Sequence, residues 1–408
     1  MHLPGPHDAR TSQCGTQHVT SLVASEKLNL PSFPKGLISN AHVAIVPNFL
    51  SLCSVSVFAR APNLWQIELV RDLDKLPKVH LHLHFTGSMR VPTLRQIADD
   101  QGVRLPANIV DNIALSVPAD QRGWFRFQRA YDAARKVVNT EDVMRRIIRE
   151  AAEDDAREGS RRLEIQVDPT SYAPFVGGLT PALEIVVDEA RESSKVTGVE
   201  VAVIVAASRM KHPLDARTLA RLATKFAGDQ PGDVIGFGLS NDERRGTTSE
   251  WAPAFNIARR GGLAAMPHGG ELLGPGHVHE VVRELVTDRL GHGVRSAEDR
   301  RVLDDVVDRG IALEVCPASN VSLGVYEEAG QVPLGALVDA GAQVALGADD
   351  PLLFWSRLVG QYETARREHG FSDAELADLA RSSIRASRAS SGTKRRLLAG
   401  VDDWLAAG

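Results

Sequence analysis

Cysteine is scarce. The three present, Cys14, Cys53 and Cys316, stand far apart and form no CxxC pair. They are too few for a disulfide framework and wrongly spaced for a thiolate metal site, and a reducing cytoplasm is the compartment such usage fits. Positive charge is not in excess either. With 47 Lys and Arg against 52 Asp and Glu, the 408-residue chain carries a formal net charge of −5, which argues against gripping nucleic acid by neutralising phosphates. Nor do aromatic and basic residues interleave as on a single-strand binding face. A long apolar run is missing as well. The most apolar N-terminal stretch, Leu37–Ala59, is broken by Asn40, His42, Pro47, Asn48 and several serines, short of the roughly 20 predominantly apolar residues a membrane span needs. The first residues lack the basic start and apolar core of a signal peptide. Finally, no GxGxxG follows any apolar run, which weakens a dinucleotide-binding open sheet.

What is there is globular in balance, with 43% hydrophobic and 24% charged residues. Residues 1–68 carry scattered prolines (Pro4, Pro6, Pro31, Pro34, Pro47), few charges and no periodicity. They are expected to form a poorly ordered N-terminal extension, with at most a short strand at Ser54–Phe58. From 69 to 408 the pattern is regular and reads as one domain. Eight apolar runs stand out as buried strands: Val79–His84, Leu163–Val167, Val199–Ala206, Val234–Leu239, Leu263–Pro267, Arg289–His292, Ala312–Cys316 and Gln343–Leu346. They alternate little between apolar and polar, as expected of a parallel sheet covered on both faces. Helical spacing of apolar residues recurs between them, at Pro181–Ser194, Ala216–Phe226, Val278–Thr287, Ala297–Arg309 and Pro333–Ala340. The first of these opens with Thr180 as N-cap and Pro181 at the first helical position. Such alternation predicts an α/β fold, a (β/α)8 TIM-type barrel. Three further helical stretches, Thr93–Gln101, Trp124–Val138 and Glu141–Arg157, form an insertion after strand 1. An insertion at that end of a barrel strand overlies the active-site mouth, either as a lid or as extra packed helices.

The chemistry collects at strand ends. His82 and His84 are two apart on the first run, so by alternation they face the same side, with His80 one layer deeper. His268 closes the fifth run, His292 the sixth, and Asp349 and Asp350 follow the eighth. In a barrel all these ends meet at one cavity. Three imidazoles and a carboxylate suit a borderline divalent cation such as zinc, with a position open for water. Bound zinc lowers the pKa of water from about 16 to about 7, so hydroxide becomes available at neutral pH. Glu271 follows His268 by three residues across a Gly-Gly turn and could carry protons beside the metal, or cap the next helix.

Five motifs in order complete the picture: Leu76-Pro77-Lys78-Val79-His80-Leu81-His82-Leu83-His84, Pro267-His268-Gly269-Gly270-Glu271, Arg289-Leu290-Gly291-His292-Gly293, Cys316-Pro317-Ala318-Ser319-Asn320 and Gly347-Ala348-Asp349-Asp350-Pro351-Leu352. The chain resembles the adenosine deaminase family of the amidohydrolase superfamily over about residues 70–390. The resemblance implies a cytoplasmic, zinc-dependent hydrolytic deaminase. It would convert adenosine or deoxyadenosine to inosine and ammonia by attack of metal-bound hydroxide on purine C6. By position, His82, His84, His268 and Asp349 match the ligands of one zinc per chain. Glu271 matches the acid that protonates ring N1, His292 the residue that orients and activates the water, and Asp350 the carboxylate on the N7 side. The implied substrate contacts are His84, Thr86, Asn241 and Asp350. No Lys ends the fourth run, which favours a single metal over a bridged pair.

Two positions depart from that pattern. Thr86 stands where the adenosine-acting members carry an Asp that clamps the sugar 5′-hydroxyl, so its hydrogen bond there would lack charge. Asn241 stands where Gly is common. These departures leave adenine, an N6-substituted purine, or a 5′-modified adenosine such as aminodeoxyfutalosine as alternative substrates. A catalytically dead barrel that only binds would be expected to lose some of the seven matched groups, and none is lost. The partner expected is a small purine nucleoside or base, with no nucleic acid and no membrane.

Overall fold

Eight parallel strands follow one another around the sheet in chain order: β1 (Lys78–His84), β2 (Ser160–Val167), β3 (Glu200–Ser208), β4 (Val234–Ser240), β5 (Ala264–Gly269), β6 (Arg289–His292), β7 (Ala312–Val315) and β8 (Val344–Leu346). The computed structural model describes residues 70–407 apart from Asn112. The N-terminal extension, its candidate strand Ser54–Phe58 and the stretch Leu37–Ala59 therefore lie outside the described residues. The ring closes where β8 meets β1. The Asp349 N–H donates to His82 O, and the His84 N–H donates to Asp349 O, each at 3.0 Å. The expected (β/α)8 barrel is thus the fold, and its seam passes between three of the residues singled out above.

Between β1 and β2 the insertion holds α1 (Val91–Asp100), α2 (Ala107–Val110), α3 (Gln121–Lys136) and α4 (Glu141–Arg157). The outer ring continues with α5 (Leu179–Thr197), α6 (Pro213–Ala223), α7 (Ala252–Arg260), α8 (Pro275–Leu285) and α9 (Arg300–Asp308). After β7 come α10 (Pro317–Ser322) and α11 (Leu334–Asp339), and after β8 come α12 (Pro351–Phe354), α13 (Leu358–Glu368), α14 (Asp373–Ala386) and α15 (Ser391–Ala406). Among the described residues no helix is long and apolar enough to cross a membrane. Helix α5 begins earlier than its sequence suggests. Gly178 is its N-cap, at φ 136°, and no side chain caps it. Thr180 and Pro181 fall inside the first turn, where a missing N–H costs no helical hydrogen bond.

Strand alternation sorts the core. On β3, Val201, Val203 and Val205 join the large core beneath the helices, while Ala202 and Ile204 pack with Ile235, Ala264 and Met266 in a separate cluster inside the barrel. Strand β1 is irregular between His80 and Leu83, and the irregularity breaks the expected alternation. His80 does not join His82 in the lumen. Its Nδ1 lies 2.9 Å from Asp155 Oδ1 on α4, outside the barrel, and its Nε2 accepts from the Ala348 N–H at 3.1 Å.

The rest of the lumen is ionic. The Arg162 Nε–H donates to Glu164 Oε1 at 2.7 Å, and Arg289 Nη1–H donates to Glu164 Oε2 at 2.6 Å. The Arg388 backbone N–H adds a third bond to Glu164 at 2.7 Å. Arg289 also bonds Glu314, whose other oxygen meets His82. These four charged side chains are buried, and they alternate in sign from the barrel floor up to the histidines. Burial opposes the charge on Glu164, but Arg289 and Arg162 outweigh it and hold its carboxyl at about 2. A carboxyl depressed below its unfolded value stabilises the fold above that value and loses the contribution as pH falls toward the folded value. Unfolding free energy should therefore drop between about pH 4.5 and pH 2 with a Glu164 component. Glu164→Gln should cost about 3–5 kcal/mol at pH 7, because two buried guanidinium groups lose their anion, and should flatten that acid limb. Urea titrations at pH 7 and pH 3 on both proteins check it, and an acid slope unchanged in the variant would count against the linkage.

Candidate active site

At the C-terminal rim of the barrel four groups converge. His82 Nδ1–H donates to Glu314 Oε2 at 2.6 Å, and His268 Nδ1–H donates to the Leu239 carbonyl at 3.1 Å. Both acceptors fix the ring proton on Nδ1 and leave Nε2 bare. Burial opposes ionisation of Glu314, yet Arg289 and His82 keep its pKa lowered, so it remains an acceptor. Burial and the neighbouring imidazoles hold His268 neutral. The two bare Nε2 atoms then face each other at 3.0 Å, an arrangement of opposed lone pairs that asks for a cation between them. Asp349 Oδ1 lies 3.3 Å from His84 Nε2 and 3.8 Å from His82 Nε2. The ligand atoms of His82, His84 and His268 lie within 4.8 Å of one another. Bonds of about 2.0–2.1 Å in a tetrahedral site place ligands roughly 3.3–3.5 Å apart, so the spacings bracket what such an ion needs, and the N₃O donor set suits it.

Local backbone chemistry makes the convergence possible. Of the five non-glycine residues with positive φ among those described, three stand here: Asn241 at 78°, His292 at 61° and Asp349 at 61°. Each turns the chain sharply as a strand ends. Asn tolerates this conformation better than most side chains, which gives a reason for Asn where Gly is common. Two glycines make room. A side chain at 291 would collide with the His268 and His82 rings, and one at 87 would occupy the place of the Asp350 carboxyl.

The remaining matched residues surround the same cavity. Glu271 and His292 are buried, with Glu271 Oε1 3.7 Å from His292 Nε2, which is itself 3.9 Å from Asp349 Oδ2. Burial, then the charges of Asp349, Glu243 and Asp350, push the Glu271 carboxyl well above its ordinary range. Burial takes the His292 imidazole down to about 3, so it works as a neutral ring. Asp350 is buried with Oδ1 unpartnered. Burial and the adjacent Asp349 raise its pKa.

Aromatic side chains form the cavity's other walls: Phe85, Tyr172, and from the insertion Trp124, Phe127 and Tyr131 of α3. The insertion therefore covers the mouth. Asn241 lines the cavity, though its Oδ1 is taken up by the Asp242 N–H at 2.9 Å. Thr86 is not among the lining residues. It is fully buried, and its hydroxyl shares a 2.6 Å hydrogen bond with Tyr172 OH. Cys316, read as core, is buried, and its Sγ falls within 4.8 Å of groups from His82, His292 and Asp349. Burial and the surrounding carboxylates keep that thiol protonated, so it is a poor ligand.

Other residues carried no sequence motif. Glu314 is a lone acid in the apolar run Ala312–Val315, and Gln166, buried with Oε1 unpartnered, ends β2 on the cavity wall. A polar residue inside a buried strand was the available signal for both. His277, in the first turn of α8, is largely buried, with Nδ1 3.7 Å from Glu243 Oε2.

Comparison with known proteins gives the following. The family described as adenosine deaminase matches residues 77–404. A Streptomyces coelicolor protein provisionally named adenosine/adenine deaminase is 58% identical over 346 residues, covering 84% of this chain and all of that one. The adenine deaminase of Agrobacterium fabrum is 30% identical over 331 residues, covering 80% and 98% of the two chains. Among solved structures, an adenine deaminase from Arthrobacter aurescens superposes with a TM-score of 0.73 at 27% identity, covering 81% and 99%.

The Glu314–His82 bond orients a metal-facing ring, and such partners are worth about 10–100-fold in metal affinity. Glu314→Gln should weaken divalent-metal binding by that factor in a chelator competition, with the circular dichroism spectrum unchanged. Undiminished affinity in the folded variant would show that the bond does not orient His82.

Proposed function

Because the chain belongs to the adenosine deaminase family, a family of deaminases acting on adenosine- and adenine-type substrates, we propose that it hydrolyses the 6-amino group of adenosine or 2′-deoxyadenosine. The products are inosine or deoxyinosine and ammonia. We assign one zinc to His82, His84, His268 and Asp349, and place the enzyme in the cytoplasm. One observation carries the reading: a buried Glu271 lies 3.7 Å from His292, beside a cluster of histidines and Asp349 whose ligand atoms have metal-site spacing.

A zinc ion in this donor set makes a coordinated water acidic enough to attack at neutral pH. The chain's own groups do the rest. An aromatic amidine carbon is a poor electrophile until its ring nitrogen is protonated, and Glu271 delivers that proton to N1. The neutral His292 accepts one proton of the water at Nε2 and passes it to the departing amine. The water's second proton returns to Glu271 as C6–O becomes a carbonyl. Asp350, raised and with Oδ1 free, donates to purine N7. The aromatic face of α3 keeps bulk solvent from these transfers.

A second reading is free adenine. Thr86 spends its hydroxyl on Tyr172 and does not line the cavity, so it leaves the sugar without the clamp expected at that position. The names of the Agrobacterium and Arthrobacter relatives point the same way. Ammonia release across adenosine, 2′-deoxyadenosine, adenine, N6-methyladenine and 5′-substituted adenosines separates these readings, and a metal count on the same sample checks occupancy. Glu271→Gln should keep its metal and lose roughly 10²–10⁴-fold in kcat. A raised carboxyl acts as an acid below its pKa, so the rate should hold through neutrality and fall on the alkaline side. A rate that halves near the ordinary value of about 4.3 would contradict the raised pKa.

A further inference from the structure

The Glu271 carboxyl has little to direct it. His292 Nε2 lies 3.7 Å from it, beyond hydrogen-bond reach. Its placement must come from the backbone beneath it, the segment between the end of β5 and the start of α8. That segment begins with a turn at Gly270, φ 74°. It would be free to swing if nothing held its amides.

Glu243 holds them. It follows β4, where the chain turns sharply at Asn241, and its side chain is completely buried. Oε1 accepts the Glu271 N–H at 3.1 Å, and Oε2 accepts the Leu272 and Leu273 N–H groups, both at 2.8 Å. From the opposite side the Arg295 side chain donates to the Leu272 carbonyl at 2.5 Å, and its backbone N–H donates to Gly270 O at 3.1 Å. Three consecutive amides on one carboxylate fix the loop in direction as well as position, because charge-assisted bonds of this kind are short and strong. His277 backs the same carboxylate, and Arg209, stacked on Trp251, lies 3.4 Å behind His277.

We infer that Glu243 is a positioning residue for the reaction, setting where Glu271 presents its proton by gripping the three amides of the loop that carries it. This rests on the reading of Glu271 as proton donor. Displacement of a catalytic group by about 1 Å can cost 10²-fold, whereas substrate binding through the rest of the cavity would be little affected.

The experiment is a double-mutant cycle of Glu243→Gln with Glu271→Gln, run on whichever aminopurine the wild type deaminates and read as kcat, KM, metal content and melting temperature. The expected result is a folded, metal-replete Glu243→Gln enzyme with kcat down roughly 30-fold or more and KM within about threefold. In the Glu271→Gln background the same change should alter kcat by less than about threefold, because residues acting through one another are not additive. A purely structural role would give a loss that multiplies through both backgrounds, and that overturns the inference. So does wild-type kcat in the folded Glu243→Gln enzyme. Wild-type kcat in Glu271→Gln alone overturns the proton-donor reading and the positioning role with it, so the two failures are told apart. Should Glu243→Gln fail to fold, Glu243→Asp carries the same cycle: it keeps the charge but falls one methylene short of the amides, with an intermediate loss expected and the same outcomes decisive.

Discussion

Two bare imidazole nitrogens, His82 Nε2 and His268 Nε2, face each other at 3.0 Å, and the rest of the molecule is arranged to keep them there. Opposed lone pairs repel, so their approach must be imposed by bonds on the far side of each ring and relieved by a positive charge between them. Glu314 and the Leu239 carbonyl supply the imposition. The barrel seam supplies the third party, since the hydrogen bonds that close β8 onto β1 also set Asp349 beside His84. Closing the barrel and placing Asp349 against His84 are one event.

That arrangement explains the ionic lumen. Glu314 can orient His82 only while it is charged, and a lone buried carboxylate would protonate instead. Arg289 prevents this, Glu164 balances Arg289, and Arg162 balances Glu164. A purely apolar barrel interior would pack as well and stabilise more, since buried ion pairs contribute little net stability. The chain of alternating charge is therefore better understood as the support for one histidine than as a stabilising device. The left-handed turns at Asn241, His292 and Asp349 belong to the same account. Each costs roughly 1–3 kcal/mol when the residue is not glycine, and all three residues line the cavity.

Much of this was legible in the sequence, for identifiable reasons. Buried parallel strands are apolar on both faces, so most of the eight appeared as runs of Val, Ile, Leu and Ala, and all within a few residues of their observed bounds. Strand-end histidines and aspartates were visible because the barrel puts every strand end at one rim. What could not be read was what breaks local periodicity. The irregularity in β1 sends His80 outward to Asp155, against simple alternation. The bond between Thr86 and Tyr172 joins residues 86 positions apart, and neither carries a mark of its partner. Helix α5 starts at a glycine without a capping side chain, where capping rules have no purchase. Helices α7, α13 and α14 were not anticipated.

The adjacent pair Asp349 and Asp350 shows how one barrel end sets two chemistries in neighbouring residues. Both carboxyls are buried, which by itself would raise both pKa values. The hydrogen bond from His84 leads the effects that outweigh burial at Asp349 and hold it ionised far below the usual carboxylate range. Asp350 also feels His84, but burial and the negative charge that Asp349 keeps outweigh it and raise its pKa. Environments that push like groups apart are the general means of dividing roles between acids. Here the division follows from geometry alone: the left-handed turn at Asp349 directs one side chain to the imidazoles and the next against Gly87, whose missing Cβ is the only reason the second carboxyl fits. Two carboxyls shifted in opposite directions thus come from consecutive residues, at the point where the barrel closes.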